Sequence, residues 1–496
     1  MFVRLIFFIY SVVYFSGCSD KQSSIPADRI LATVGPSVIT IQEFIRRSEY
    51  TIRPKYCRNS NYIHKKIVLN SLIAEKLTAL EYQKKYNGKH GVDNLENFLT
   101  GRKEQAMRQV HYAKQFHANT KIKDSDLKAA YKLAGRTISV QFLNLPDTNI
   151  TKKVKYLYDS GVTLDSIHQI LWGGNAPARQ ISWFDKEQID IHKSLFNDSI
   201  KKGQLIGPIK TNDETYILMA INGWKDEIFF TQSDKSRLWQ DTKERLIDQK
   251  AKSIYYEWVG EVMKDKQMNL NPEVFKEYAK HASAYFFKMD SIKRGTLNNV
   301  VWDTPELIDQ PTFIFDDSNL NLNPNDILLN YNGSNWTIND LNQQLKVRPL
   351  TFRKRKMSKS EFSNQLRYAI ADFLRDIEIT KKCYQLGYDN HWIVNSNVDM
   401  WRDASLSRRF TSKLRSSDNT FKDEDKWLSF INPIVDTLQN DYSDQIKINM
   451  ELFEKIELTQ TDMVVNQRGV PFPIVVPSFP IITSDNLLNY GSKIGL

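Results

Sequence analysis

Motifs for cofactor and metal chemistry are missing from this chain. There is no Cys-x-x-Cys, no His-Glu-x-x-His, no Gly-x-Gly-x-x-Gly and no Walker-type phosphate loop. Those patterns carry redox, zinc-hydrolytic, dinucleotide and nucleoside-triphosphate chemistry. The eight histidines do not fall at metal-ligand spacing, and His111 and His117 would diverge on a helix. Carboxylates are plentiful but scattered, so no acid–base pair can be named. No cofactor and no metal ion is expected. Cysteine is scarce: Cys18, Cys57 and Cys383 are the only three in 496 residues. Cys57 and Cys383 stand at non-equivalent places in the repeat described below, so two unpaired thiols are expected. After residues 5–15 no apolar run approaches the length of a membrane span. Charge of one sign is in modest excess, 68 Lys and Arg against 58 Asp and Glu, or +10. The basic residues are spread out, and the densest run, FRKRKMSK at 352–359, reads as a solvated loop. No nucleic-acid partner is expected. Diffuse positive charge suits anionic lipid headgroups or acidic client segments.

What is present begins with a leader. Arg4 precedes the apolar run 5–15, and Ser16-Gly17-Cys18 follows. Small residues before a Cys at this place resemble the lipobox of bacterial lipoproteins, with Phe15 where Leu is commoner. The resemblance implies cleavage before Cys18 and acylation of that residue, so an outer-membrane lipid becomes a partner. The rivals are a buried N-terminal helix and a plain secretory signal. Residues 1–17 are read as the signal peptide and 18–27 as a polar tether. The expected location is the outer membrane, lipid-anchored and facing the periplasm, with the cell surface as the alternative. A composition 41% hydrophobic and 25% charged is that of an ordinary folded protein, long enough for three or four domains.

The chain repeats itself after about 300 residues. LIAEKLTALEYQKKY at 72–86 returns as AIADFLRDIEITKKCY at 369–384, with Ile73 on Ile370, Glu75 on Asp372, Leu77 on Leu374 and Glu81 on Glu378. Both copies space apolar residues at three and four, the stripe of an amphipathic helix. Upstream, Val34-Gly35, Thr40-x-x-Glu43-Phe44 and Arg53-Pro54 match Asn332-Gly333, Thr337-x-x-Asp340-Leu341 and Arg348-Pro349. Each reads as a Gly turn after a short strand, then a capping-box-like helix start. Arg102 and Arg402 lie on similar helical stretches. Downstream, MNLNPEVF at 268–275 matches IKINMELF at 446–453.

The order of short strand, Gly, Thr-x-x-Glu-Phe, Arg and long Leu-rich helix, with DSDLKAAY at 124–131, resembles the N-terminal domain of SurA-type periplasmic chaperones. That resemblance covers most of the chain and rests on order and spacing. It implies a helical module at 28–135, a helix at 229–290 that closes this module, and a second such module at 291–457. In the closing helix Leu238, Leu246, Ile254, Trp258 and Val262 are candidate core contacts. The fold class expected is α+β: mostly helical modules in duplicate, with one small α/β domain inserted in the first.

That insertion, residues 136–228, runs β-α-α-x-α-β. With KGQLIGPI at 202–209 and its last strand, it resembles a parvulin-type peptidyl-prolyl isomerase domain. An X-Pro bond isomerises over about 18–20 kcal/mol. Parvulins are expected to lower this with a proline pocket backed by two histidines. Here the first position falls on Gln141 and the second on Ile217, and neither is histidine. Ile217 offers no side-chain hydrogen bond, so the usual network is lost. His168 and His192 lie off the motif and read as exposed helix residues. Trp183, Phe184 and Tyr216 are the candidate peptide-binding residues, and Phe142 is more simply core.

Residues 458–496 hold Pro471, Pro473, Pro477 and Pro480, which forbid a regular helix or central strand. An extended apolar strap on the body or a partner, and a partly ordered tail, are equally open. The resemblances imply a lipid-anchored periplasmic holdase for unfolded outer-membrane or secreted proteins, with an inactive isomerase-like domain. One alternative is an active peptidyl-prolyl isomerase. Another is an accessory lipoprotein subunit of an outer-membrane assembly or secretion complex.

Overall fold

The structure, a computed structural model, describes residues 25–86, 92–185, 187–211, 215–299, 312–313, 322–354, 357–416, 421, 423–458 and 474–490. The leader, Cys18 and most of the tether lie outside the described residues, as do Arg355, Lys356, Pro471 and Pro473. The fold is α+β, mostly helical with small sheets. Among the described residues no helix is long and apolar enough to cross a membrane.

The first copy starts with a hairpin, β1 (Ile30–Val34) and β2 (Ser37–Thr40), turned at Gly35, whose φ of +54° favours glycine. Thr40 accepts from the backbone N–H of Glu43 at 3.0 Å and starts α1 (Ile41–Glu49). Then come α2 (Tyr62–Tyr86), α3 (Val92–His111), one π-type turn at Tyr112–His117, and α4 (Asp124–Leu133). The inserted lobe holds β3 (Arg136–Leu145), α5 (Thr148–Asp159), α6 (Leu164–Leu171), β4 (Ala178–Ser182), α7 (Ile189–Leu195), β5 (Leu205–Lys210) and β6 (Tyr216–Asp226). Its antiparallel sheet has the order β4-β3-β6-β5.

The chain returns through α8 (Gln232–Val262), β7 (Met268–Leu270) and α9 (Pro272–Asn299). A two-residue strand, β8 (Thr312–Phe313), precedes the second copy. That copy has a hairpin, β9 (Ile327–Tyr331) and β10 (Ser334–Thr337), followed by α10 (Ile338–Val347). Next come β11 (Leu350–Thr351), α11 (Lys359–Gln385), α12 (Trp392–Arg415), α13 (Glu424–Asp441), β12 (Ile446–Ile448) and α14 (Met450–Lys455). Thr337 and Asp340 form a full capping box, and Gly333 turns the hairpin at φ +80°.

The copies do not close on themselves. Strand β12 of the second copy pairs with β1 of the first, and β7 of the first pairs with β9 of the second. The bonds are equivalent in the two sheets. Asn449 N donates to Leu31 O at 2.8 Å and Asn271 N to Leu328 O at 2.9 Å. Gly35 N donates to Gln445 O and Asn332 N to Gln267 O, both at 3.1 Å. The cores follow the strands. One holds Leu31, Ile39, Phe44, Leu69 and Ile73 with Ile446 and Phe453. The other holds Leu328, Leu341, Leu366 and Ile370 with Tyr278 and Ala282. The segment expected to close the first module is therefore divided. Its helix α8 packs Ala251, Tyr255 and Val259 between Met107 and Phe116 of the first copy and Ile379 and Cys383 of the second. Its β7 and α9 complete the second copy. Ile254 is 40% exposed, not core, because the buried line on α8 runs through Leu238, Thr242, Ala251, Tyr255 and Val259.

Helix α2 also departs from a simple stripe: it is buried on every side through Ile67–Ala79. Its polar face is matched rather than solvated. Glu75 takes a bidentate pair from Arg47 at 2.8 Å, Lys76 meets Glu43 at 2.9 Å and Asp403 at 3.0 Å, and Thr78 bonds Ser407 at 2.8 Å. Over this face runs an extended strap. Within it, Val476, Phe479, Ile482, Leu488 and Tyr490 are all buried. The described part of the tail is thus a strap on the chain's own body. Cys57 and Cys383 are buried and unpaired, in separate cores, and burial pushes both thiols up to about 12. In the basic run, Arg353 pairs with Asp372 at 2.8 Å and Lys354 with Glu361 at 2.9 Å, so those two charges are compensated.

Candidate functional site

The inserted lobe was expected to carry the chemistry, and its sheet register decides what meets what. Side chains alternate across a strand, so residues two apart share a face. Gln141 stands opposite Ala220, Leu143 opposite Leu218 and Leu145 opposite Tyr216. All of these lie on the face covered by α5 and α6. Ile217 stands opposite Asn144 and packs on the other face with Phe142, Met219 and Ile221. The two positions assigned to the parvulin histidines therefore point to opposite sides of the sheet. The pairing of Gln141 with Ile217 is corrected: no side-chain network can join them. On Gln141's face the last strand presents Ala220 directly opposite, then Leu218, then Tyr216.

Gln141 is itself engaged. Its Nε2 donates to both carboxylate oxygens of Asp165, at 3.0 and 2.9 Å. Asp165 also accepts from the backbone N–H of Ala176 at 2.9 Å. This pins the loop after α6 to β3. The one ionisable group of the arrangement is the Asp165 carboxylate, already engaged by Gln141 and the Ala176 N–H.

Trp183 does not line a groove. It is 4% exposed and packs its ring on His192 at 4.7 Å and Phe196 at 5.2 Å. His192 is likewise not an exposed helix residue but 2% exposed. Its Nε2 donates to the carbonyl of Trp183 at 2.9 Å. Burial holds His192 neutral, down at about 4, with Arg245 adding to the effect and the Trp183 carbonyl opposing it. His168 is half-buried, with Nδ1 3.1 Å from the carbonyl of Gly174. Phe184 is exposed, as a peptide contact requires. It sits at a cleft of about 270 Å³ bounded by Arg136, Phe229, Arg237 and Asp241. Tyr216 is half-buried between strand and helix layer.

The surface that sequence reasoning missed lies around this lobe. Tyr156, Ile170, Trp172, Ile228 and Phe230 are 73%, 76%, 52%, 71% and 83% exposed. Leu157 and Leu171 add to them, and Lys152 and Lys153 flank Tyr156 and Leu157 in a shallow depression on α5. Tyr156 and Leu157 share one depression, so they present apolar surface side by side. The signal was available: ILW at 170–172, before Gly173-Gly174, breaks the helical alternation with three apolar residues in a row.

A second polar constellation sits under the strap. Arg47, Glu75, Lys76 and Glu43 are each at most 4% exposed. Burial pushes the Glu43 carboxyl above its usual range, against the pull of Lys76. Burial also opposes the charge on Lys76, but Glu43, Asp403 and Glu75 outweigh it and hold the amine above its usual range. Among the described residues no group of three or more His, Cys, Asp or Glu could hold a metal ion.

No family model matches this chain, and no curated protein matches it. Among solved structures, the chain is similar to the foldase protein PrsA from Streptococcus pneumoniae. That match is 12% identical, covers 45% of this chain and 86% of the other, and has a TM-score of 0.22.

Proposed function

We propose that this chain is a chaperone that holds extended polypeptide, an anchored holdase rather than an enzyme. The observation that carries the reading is the set of exposed large apolar side chains in and beside the inserted lobe, Tyr156, Ile170, Trp172, Ile228 and Phe230 among them. Water-exposed apolar area of this kind gains free energy when covered, at about 25 cal/mol per Å². Its members are scattered over helix ends and loops, so it favours no single sequence, which suits many clients at modest affinity. The lysines beside Tyr156 add a basic rim for acidic segments.

The clients under this reading are unfolded outer-membrane or secreted proteins, held at the periplasmic face of the outer membrane. Acylation of Cys18 supplies the anchor. Support for the location comes from the leader alone, the apolar run 5–15 before Ser16-Gly17-Cys18. The pinned Gln141 and the aliphatic Ile217 support a lobe that binds proline-containing segments without turning them over.

Photo-crosslinking tests the reading. A photoreactive amino acid is placed singly at Ile170, at Phe230 and, as control, at the exposed Glu277 on α9. A urea-unfolded outer-membrane β-barrel is then diluted into the protein and illuminated. The reading predicts adducts from Ile170 and Phe230 and none from Glu277. Equal yields at all three positions would contradict it.

A further inference from the structure

The strap at 474–490 has neither helix nor strand, yet it is built into the body. An extended segment must satisfy its backbone polar groups somewhere. Here side chains of the body do so. Arg47 Nη2 donates to Ser478 O at 2.9 Å, Trp427 Nε1 to Ile481 O at 2.7 Å and Asn70 Nδ2 to Asp485 O at 2.9 Å. Ser71 Oγ donates to Thr483 O at 3.4 Å, and Asn432 Oδ1 accepts from Ser484 N at 3.3 Å. Four of these five bonds address carbonyls. Proline keeps its carbonyl and lacks only the N–H, so Pro477 and Pro480 sacrifice none of the four. The grip reads main chain, and between its points the groove takes Phe479 and Ile482 into apolar sockets against α1, α2 and α13.

In the opposite half a short strand, rather than a strap, lies against the body. The linker carries Pro311-Thr312-Phe313 where the strap carries Pro477-Ser478-Phe479. Thr312–Phe313 forms β8, paired antiparallel with β11 of the second copy.

We infer that the groove between α2 and α13 is a binding site for an extended, proline-containing apolar polypeptide, and that residues 474–490 are its resident ligand, which an incoming segment of the same chemistry replaces. The inference rests on the polypeptide-holding reading and adds where a client's main chain is gripped and by which atoms. A tethered ligand competes at an effective concentration of about millimolar. Exchange is therefore weak in the resting protein and strengthens when the strap is loosened.

The test uses residues 25–496 and a fluorescein-labelled synthetic peptide of sequence 474–490. Anisotropy gives its affinity for the wild type and for Phe479→Ala, and hydrogen exchange follows the strap's amides. Saturable binding is expected, about tenfold tighter to Phe479→Ala, with exchange in 474–490 rising as the peptide binds. A peptide of alternating Gly and Ser should not compete, and an unrelated proline-containing apolar peptide should. Absence of saturable binding to either protein, or binding that leaves strap exchange unchanged, would overturn the inference. Should Phe479→Ala lose its helical circular dichroism, Ile482→Val and the wild type at millimolar peptide are read by the same two measures. A chain that delays client aggregation yet never binds the peptide loses this site alone. One that binds the peptide yet delays no aggregation loses the chaperone reading alone.

Discussion

Asn449 donates its backbone N–H to the carbonyl of Leu31 at 2.8 Å and so closes the first copy's hairpin with a strand from the second. The reciprocal bond, Asn271 to Leu328, does the same for the other hairpin. Both strands read Gln-x-x-Leu/Ile-Asn, at 267–271 and 445–449, and both asparagines then cap the next helix through Oδ1. A duplicated module has exchanged its closing segments within one chain. Neither head can be completed without the other half, which ties the lobe, the heads and the strap into one unit.

The exchange predicts which cysteine pairs bridge. Ala32 faces Ile448, and Leu270 faces Leu329, at non-hydrogen-bonded positions where Cα atoms approach to about 4.5 Å, within disulfide reach. Ala32→Cys with Ile448→Cys should oxidise to an intrachain disulfide, seen as faster migration on a non-reducing gel. Ala32→Cys with Leu270→Cys, the pair that self-closing copies would join, should stay reduced. The opposite pattern would refute the exchange.

Acid should loosen the inserted lobe through His192. Its folded value, about 4, lies below the ordinary 6.5, so the unfolded chain takes up the proton first as pH falls. The stabilisation is full above pH 6.5, is lost between 6.5 and about 4, and falls no further below that. The full loss is on the order of 3 kcal/mol. Urea unfolding followed by tryptophan fluorescence should show this slope, and His192→Gln should flatten it.

Breaking the buried pair under the strap should cost more than removing it. Glu75→Gln takes the bidentate carboxylate from the buried Arg47 guanidinium, a loss of about 3–5 kcal/mol. Arg47→Met with Glu75→Leu removes both charges and should recover part of the urea midpoint. A double variant less stable than the single would show that the pair itself is the main source of stability.

Proline turnover should be absent. With Gln141 held on Asp165 and Ile217 on the other face of the sheet, a proline-peptide exchange assay at saturating substrate should give the uncatalysed rate. Catalysis above background by residues 25–496, abolished by Tyr216→Phe, would make the lobe an enzyme and Tyr216 part of its site.

Much of this was legible in the residues. Ile73 on Ile370 announced the duplication, and the Thr40–Glu43 and Thr337–Asp340 spacings announced both helix starts. The exchange was not legible, because β7 and β12 carry the same pattern and fit either hairpin. A choice between equivalent strands is made by the connections, not by local propensity. The pairing of Gln141 with Ile217 failed for a simpler reason: in a strand, a shift of one residue changes the face. His192 looked like a surface residue because histidine is polar. Its neighbours in space, Trp183 and Phe196, come from a strand end and a helix end that no single periodicity links. The strap was half legible. Its prolines excluded regular structure, but the donors that hold it lie about 50 to 430 positions away.

Light scattering by an aggregating client tests the account most directly. A urea-unfolded outer-membrane β-barrel is diluted into buffer with increasing residues 25–496. The account predicts a delay that grows with protein and shrinks when Ile170, Trp172 and Phe230 are all changed to Ser. An unchanged aggregation time at severalfold molar excess would contradict it.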